Sequence, residues 1–158
     1  MPKITNCLWF DREAEAAAEL YVSLFPNSRL VSVGRYPEGL PGDRAGEVMI
    51  VEFELDGRAF SGLNGGPQFT FDEAVSFQIE VQDQAELDHY WDGLIAGGGS
   101  EGQCGWLKDR FGVSWQVVPV QMVRILSGAD KAAAGRMTGA MMSMTRLDIA
   151  ALEAAAAG

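Results

Sequence analysis

Hydrophobic and polar positions along the chain run through one pattern and then repeat it. A β-prone run from Ile4 to Phe10 ends at Asp11, after which Ala14, Ala17, Ala18, Tyr21 and Phe25 recur at helical spacing. This predicts a strand, an N-cap at Asp11 and an amphipathic helix. Pro26-Asn27-Ser28 stops the helix, Arg29 to Tyr36 reads as a strand, and the Pro/Gly-rich stretch PEGLPGDRAG at 37–46 reads as a loop able to act as a flexible lid. Glu47 to Leu55 is the next strand. Asp56-Gly57 is a hairpin turn, and Arg58 to Leu63 runs back before the NGGP turn at 64–67.

The second round begins with the alternating strand Val75 to Val81. Asp83 and Glu86 form a capping box, and Leu87, Tyr90, Trp91 and Leu94 line a helix that Gly97-Gly98-Gly99 ends. Two strands then flank the charged turn in CGWLKDRFGVSWQVVP at 104–119. Both halves read as βα followed by strands, although their residues barely match. Beyond Pro119 lie Met/Ala-rich helical stretches with caps expected at Asp130 and Asp148. Met137, Met141, Met142 and Met144 would leave much apolar surface bare on helices standing alone, so these helices are expected to cover an edge or a partner subunit.

The chain has 158 residues, enough for a single domain with a real core. With 22 acidic and 12 basic residues its net charge is −10, and no basic cluster offsets this, which argues against nucleic acid and anionic membrane surfaces as partners. No apolar run reaches the roughly 18 residues of a membrane span, and the N-terminus lacks the apolar core of a secretory signal, so a cytoplasmic location is expected. Cys7 and Cys104 are far apart, outside any CxxC and without a neighbouring His, which suggests neither a disulfide framework nor a zinc site.

The stretches CLWFD (7–11), EFELDGRAFSGLNGGP (52–67), AVSFQIEV (74–81), CGWLKDRFGVSWQVVP (104–119) and MTRLDIAALEAA (144–155) together resemble the PhnB-like family. That family carries the label 3-demethylubiquinone-9 3-methyltransferase domain and lies within the vicinal oxygen chelate superfamily of glyoxalases, dioxygenases and antibiotic-resistance proteins. The resemblance implies an α+β fold of paired βαβββ modules forming a curled mixed sheet with a cleft, and a homodimer. It sets module one at about 1–67, module two at about 74–119 and a C-terminal helical extension at 120–158, within one glyoxalase-like domain.

Metal-dependent members of the superfamily carry four ligands in the cleft. The resemblance puts those positions near Thr5, at Gly62 or Asn64, at Ser76 and at Gln116, none of which is a His or a carboxylate. Hydroxyls and one amide are poor ligands for a divalent transition metal, so neither a metal nor another cofactor is expected. Methyl transfer from S-adenosylmethionine would need a glycine-rich strand-to-helix turn, and the glycines at 65–66 and 97–99 read instead as a hairpin and a helix end.

Strand alternation puts Thr5, Cys7 and Trp9 on one face, which the resemblance makes the cleft face, and Ile4, Leu8 and Phe10 toward the core. The expected cleft set is Thr5, Cys7, Trp9, Asn64, Ser76, Gln78, Trp106 and Gln116, suited to a small apolar or aromatic ligand oriented by hydroxyls and amides. The plainer expectations are that both cysteines are buried structural thiols, that His89 packs on or faces out from its helix, that Trp115 is core, and that Lys108-Asp109-Arg110 is a solvated turn. The leading functional reading is a metal-free small-molecule-binding protein. The alternatives are a superfamily enzyme of glyoxalase, dioxygenase or methyltransferase type, drawing reactive groups from a partner subunit or Cys7, and an interaction module that dimerises through its C-terminal helices.

Overall fold

The computed structural model describes residues 4–40 and 42–158, so the readings of the first three residues and of Pro41 in the candidate lid fall outside it. The chain divides into two compact units, the first ending at Phe71 and the second spanning Asp72–Gly158. The first contains β1 (Asn6–Phe10), α1 (Ala14–Leu24), β2 (Arg29–Arg35), β3 (Val48–Leu55) and β4 (Arg58–Asn64). Its sheet order is β1-β4-β3-β2, with β1 parallel to β4 and the other pairs antiparallel.

Two same-direction strands cannot be joined by a hairpin, and here the crossover that starts from β1 carries α1 over one face of the sheet. That face holds Leu8, Phe10, Val51, Phe53 and Phe60, packed against Ala14, Ala17, Ala18 and Tyr21, all buried. Small alanines let the helix approach closely, and Gly62 permits it as well: a Cβ there would sit 3.0 Å from the Ala14 Cβ. Ile4, expected on this core face, is 97% exposed because it precedes the first paired residue of β1.

The start of α1 is held differently from the expectation. Glu13, not Asp11, occupies the N-cap position and makes no side-chain cap bond. The free amide of Ala14 donates instead to Oδ1 of Asn64, at 2.9 Å and fifty residues away in sequence. Asn64 is 2% exposed; its Nδ2 donates to the Val48 carbonyl at 3.1 Å, and its own carbonyl accepts from the Tyr36 hydroxyl at 2.6 Å. One side chain thus joins the helix start to β3 from the end of β4.

The second unit repeats the arrangement with β5 (Ser76–Val81), α2 (Gln84–Ile95), β6 (Ser100–Glu101), β7 (Trp106–Lys108) and β8 (Ser114–Pro119), in sheet order β5-β8-β7-β6. β5 is parallel to β8, and Leu87, Tyr90, Trp91 and Leu94 of α2 are buried over the face that carries Ile79, Val81, Leu107, Trp115 and Val117. The capping box forms: Asp83 accepts from the Glu86 amide at 2.9 Å, and Glu86 reaches back to the Gln82 amide at 2.7 Å.

Three helices follow, α3 (Val120–Ser127), α4 (Lys131–Met141) and α5 (Ile149–Ala157). Asp130 and Asp148 cap the last two by accepting from Ala133 and Ala151, each at 2.9 Å. The segment between them is fastened to its own unit. Gln84 donates to the Leu147 carbonyl at 3.2 Å and accepts from the Ile149 amide at 3.0 Å, while Arg146 bonds Asp88 and Asp92 of α2. Met137 is buried within the unit, whereas Met142 stays 64% exposed. Among the described residues no helix is long and apolar enough to cross a membrane.

Replacing Asn64 by Ala removes the partner of the buried Ala14 amide and of the part-buried Val48 carbonyl. An unfolding free energy lower by about 2 kcal/mol is expected from urea melts, with an N-terminal helix that exchanges its amides faster; an unchanged midpoint would count against this cap.

Candidate functional site

In each sheet the helix covers one face, and strand alternation turns the other residues outward. On the first sheet this open face carries Cys7 and Trp9 of β1, Ser61 and Leu63 of β4, and Ile50 and Glu52 of β3. Register aligns them in two rows, Cys7-Ser61-Glu52 and Trp9-Leu63-Ile50. Ser32 of β2 extends the first row, donating to Glu52 at 2.8 Å.

Cys7 is exposed, so the expectation of a buried thiol gives way for this residue. It lies on the open face, where its register partner on β4 is Ser61. Thr5 is exposed immediately before β1. Trp9 is half-buried: its indole N–H donates to the Gly66 carbonyl at 2.8 Å and its ring meets Phe69 edge to face, centroids 5.0 Å apart. Gly65 makes room for that ring, since a Cβ there would fall 2.2 Å from it.

Asn64 does not join this group. Register puts Leu8 opposite Gly62 and Phe10 opposite Asn64, so both candidate ligand positions on β4 lie on the helix-covered face. Ser61 and Leu63 take the open positions. The alternation in VMIVEFEL, with Val51, Phe53 and Leu55 inward, was sufficient to point to Glu52 as an outward residue, but its place beside Ser61 depends on pairing.

On the second sheet, register aligns Gln78, Gln116 and Trp106 in one row and Ser76, Ser114 and Lys108 in the next. Gln116 donates from Nε2 to the Ser76 hydroxyl at 2.9 Å, and Trp106 beside it is half-buried. Gln78 is exposed in the same row. At the edge of this face, Trp106, Ser100, Lys108, Ser114 and Glu73 border a hollow of about 190 Å³. Lys108 pairs with Glu73 at 2.6 Å, and this hydrogen bond is the main reason the Glu73 carboxyl is held below the ordinary glutamate range.

The turn that joins β7 to β8 is not a solvated charge cluster. Asp109 is 3% exposed, and its Oδ1 accepts from the amides of Phe111 and Val113 at 2.9 and 3.0 Å while Oδ2 accepts from the Trp115 indole at 2.9 Å. The carboxylate closes the turn and ties it to a buried Trp on β8, which fixes the register that sets Trp106 against Gln116. Its flanking Lys108 and Arg110 concealed this in the sequence, where a charged triplet in a hairpin reads as surface.

At the far end of the first unit, the loop expected as a lid is anchored at its base. Arg44 donates to Glu47 at 2.9 Å, to the Tyr36 hydroxyl and the Asn64 carbonyl at 3.2 Å each, and its guanidinium stacks over the Tyr36 ring at 4.4 Å. The hydrogen bond from Arg44, reinforced by the charge of Arg12, holds the Glu47 carboxyl below the ordinary glutamate value, and the same bond raises Arg44.

Among the described residues no three His, Cys, Asp or Glu side chains converge as metal ligands. Ser76, Gln78, Ser114 and Gln116 on the second sheet's open face offer hydroxyls and amides, which are poor ligands for a divalent transition metal. Neither glycine cluster opens a helix: residues 65–66 follow β4, and residues 97–99 follow α2. His89 is exposed on α2, its ring edge to face with Tyr90 at 5.0 Å.

Two βαβββ units of identical strand order, each with one helix-covered and one open face, define an α+β protein built from paired modules. The family model for 3-demethylubiquinone-9 3-methyltransferase matches residues 2–118, and the chain belongs to this PhnB-like family. It is similar to the solved structure of a PhnB protein from Bacillus cereus, 33% identical with a TM-score of 0.67, over 75% of this chain and 99% of that one. A protein from Pseudomonas aeruginosa is 20% identical with a TM-score of 0.63, over 75% and 98% of the respective chains. A gene product of Arabidopsis thaliana is 18% identical with a TM-score of 0.51 over the same shares. The last two show the fold alone. A comparison with curated proteins finds no match.

Two outcomes follow from this geometry. Asp109→Ala strips the acceptor from three N–H donors, two of them buried, and is expected to lower the unfolding free energy by about 3 kcal/mol, with the loss of Trp115 near-ultraviolet dichroism; wild-type stability would remove Asp109 from this role. Glu47 has a folded pKa below its unfolded one, so its contribution is present above the ordinary value of 4.5 and lost as pH falls through the lower folded value. The melting-temperature gap between wild type and Glu47→Gln should therefore hold at neutral pH and close in acid, and a gap independent of pH would contradict the Arg44 anchor.

Proposed function

We propose that the protein binds a small aromatic compound bearing hydroxyl or carbonyl groups on the open face of the second sheet, and that it does so without a metal. The observation that supports this most is the pairing of Gln116 with Ser76 beside half-buried Trp106. An indole offers a flat apolar surface, and the adjacent amide and hydroxyl offer donors and acceptors that orient oxygen substituents. The neighbouring hollow of about 190 Å³ suits one ring, given that a cavity of roughly 150 Å³ can hold benzene. The description of the family names a demethylated ubiquinone, an oxygenated ring of this class. The reading includes no methyl-transfer step, because neither glycine cluster lies at the start of a helix.

Native mass spectrometry of protein taken from its own cells identifies any co-purified compound and counts subunits in the same spectrum. Titration of that compound, or of a panel of hydroxylated and quinonoid single-ring compounds, is expected to quench Trp106 fluorescence. Trp106→Ala and Gln116→Ala should each weaken binding about tenfold without a change in fold. Binding that is undiminished in both variants, or a panel that leaves the fluorescence unmoved, would sink the proposal.

A further inference from the structure

Lys108 brings a positive charge to the open face of the second sheet. Register sets Ser76, Ser114 and Lys108 in line across β5, β8 and β7, next to the row of Gln78, Gln116 and Trp106. Trp106 and Lys108 are two residues apart on β7, so their side chains leave the same face about 7 Å from each other. Lys108 is the one cation among the described residues bordering the hollow beside Trp106. Two carboxylates border it as well. Glu101 is committed to the Trp91 indole, which donates to it at 2.8 Å, and Glu73 accepts from Lys108 at 2.6 Å.

The partners of this Lys108–Glu73 pair are held unequally. Lys108 rises from a paired strand and its side chain is 34% exposed, whereas Glu73 lies in the loop before β5 and its side chain is 63% exposed. The backbone of that loop is fastened: Ser114, itself buried, donates its hydroxyl to the Asp72 carbonyl at 3.3 Å, and the Asp72 side chain accepts from the Ala74 amide at 3.0 Å. The Glu73 side chain can therefore swing into water while its backbone and Lys108 stay in place, and an ion pair this exposed holds it only weakly. Lys108 keeps the Glu73 carboxyl below the ordinary glutamate range, so at neutral pH both partners are charged and exchanging one carboxylate for another moves no proton.

We propose that the open face of the second sheet selects aromatic carboxylates, with Lys108 as the specificity-determining residue and Glu73 as the resident carboxylate that the ligand's own displaces. This rests on the reading of that face as an aromatic site. A ring on the Trp106 indole has Lys108 along the strand and Gln116 across it. A carboxylate directed along β7 meets the ammonium, while an oxygen substituent directed across the sheet meets the amide. A ligand ammonium fits less well, because it would draw Glu73 away and leave the less exposed partner, Lys108, without its counter-charge.

The test is isothermal titration calorimetry of the full chain at neutral pH with protocatechuate, a dihydroxylated benzoate, and with its uncharged amide, circular dichroism checking the fold of each variant. Wild type is expected to bind the acid about tenfold more tightly than the amide, a preference that shrinks in high salt. Lys108→Met keeps a long side-chain stem and should bring the acid-to-amide ratio to about one, Lys108→Arg should preserve it, and Glu73→Gln should raise it about threefold by removing the resident competitor. Equal affinity for acid and amide in the wild type, a ratio unmoved in Lys108→Met, or a ratio that does not rise in Glu73→Gln would overturn this proposal and leave the aromatic reading standing. Wild-type protein that takes up neither compound at millimolar concentration would overturn both.

Discussion

The parallel pairing of the first and last strand of each unit is the constraint from which the remaining geometry follows. Register Cys7 to Ser61 on the first sheet, and Gln78 to Gln116 on the second, joins strands that run in the same direction. Each unit therefore needs a crossover, and its helix seals one face of a four-stranded sheet. The other face receives whatever side chains alternate outward. Core and candidate site are in this sense the same decision: burying Phe10, Phe53 and Phe60 under α1 is what leaves Trp9, Ser61 and Glu52 outside.

Two buried polar residues maintain that arrangement, and each does so by satisfying backbone donors rather than by adding apolar area. Asn64 accepts from the first amide of α1 and donates to β3, so the helix start and the strand ladder are set from one amide group. Asp109 gathers two turn amides and the Trp115 indole on one carboxylate. A polar group taken out of water needs such partners to offset its lost hydration. Both residues sit where a sheet meets a turn, close to open-face residues whose position they fix without touching a ligand. Trp115 is correspondingly a packing residue, while Trp106 one strand over remains half-exposed.

The C-terminal helices add a different element. They are held to the second unit by Gln84, by Arg146 across Asp88 and Asp92, and by the two backbone bonds at Cys104 and Gly105. Gly105 permits this approach: a Cβ there would lie 2.9 Å from Leu147. Arg146 also lies over the Trp91 ring at 5.7 Å, so the segment rests on the helix that covers the sheet. The Met-rich composition that suggested a partner surface is in part consumed at home, with Met137 in the core of its own unit.

The sequence by itself determined the order of the longer elements, the helix-covered residues and most of the outward ones, because side-chain periods of 2 and 3.6 are local properties of the backbone, whereas the two-residue β6 is too short to show a period. The capping residues Asp83, Asp130 and Asp148 were legible for the same reason: each acts on an amide three residues away. Asp11 failed as a cap because its competitor was Asn64, fifty positions beyond Ala14, and no local pattern carries that bond. The position expected on β4 shifted to Ser61 and Leu63 since a strand's phase relative to its neighbour is set by pairing, and a slip of one residue exchanges the faces. Asp109, Cys7 and the sulfur contact of Cys104 with Met142 were likewise decided only by the tertiary structure. Burial and proximity between distant segments are properties of the packed chain, and they turned a charged turn into a buried carboxylate and placed a lone thiol beside a thioether thirty-eight residues away.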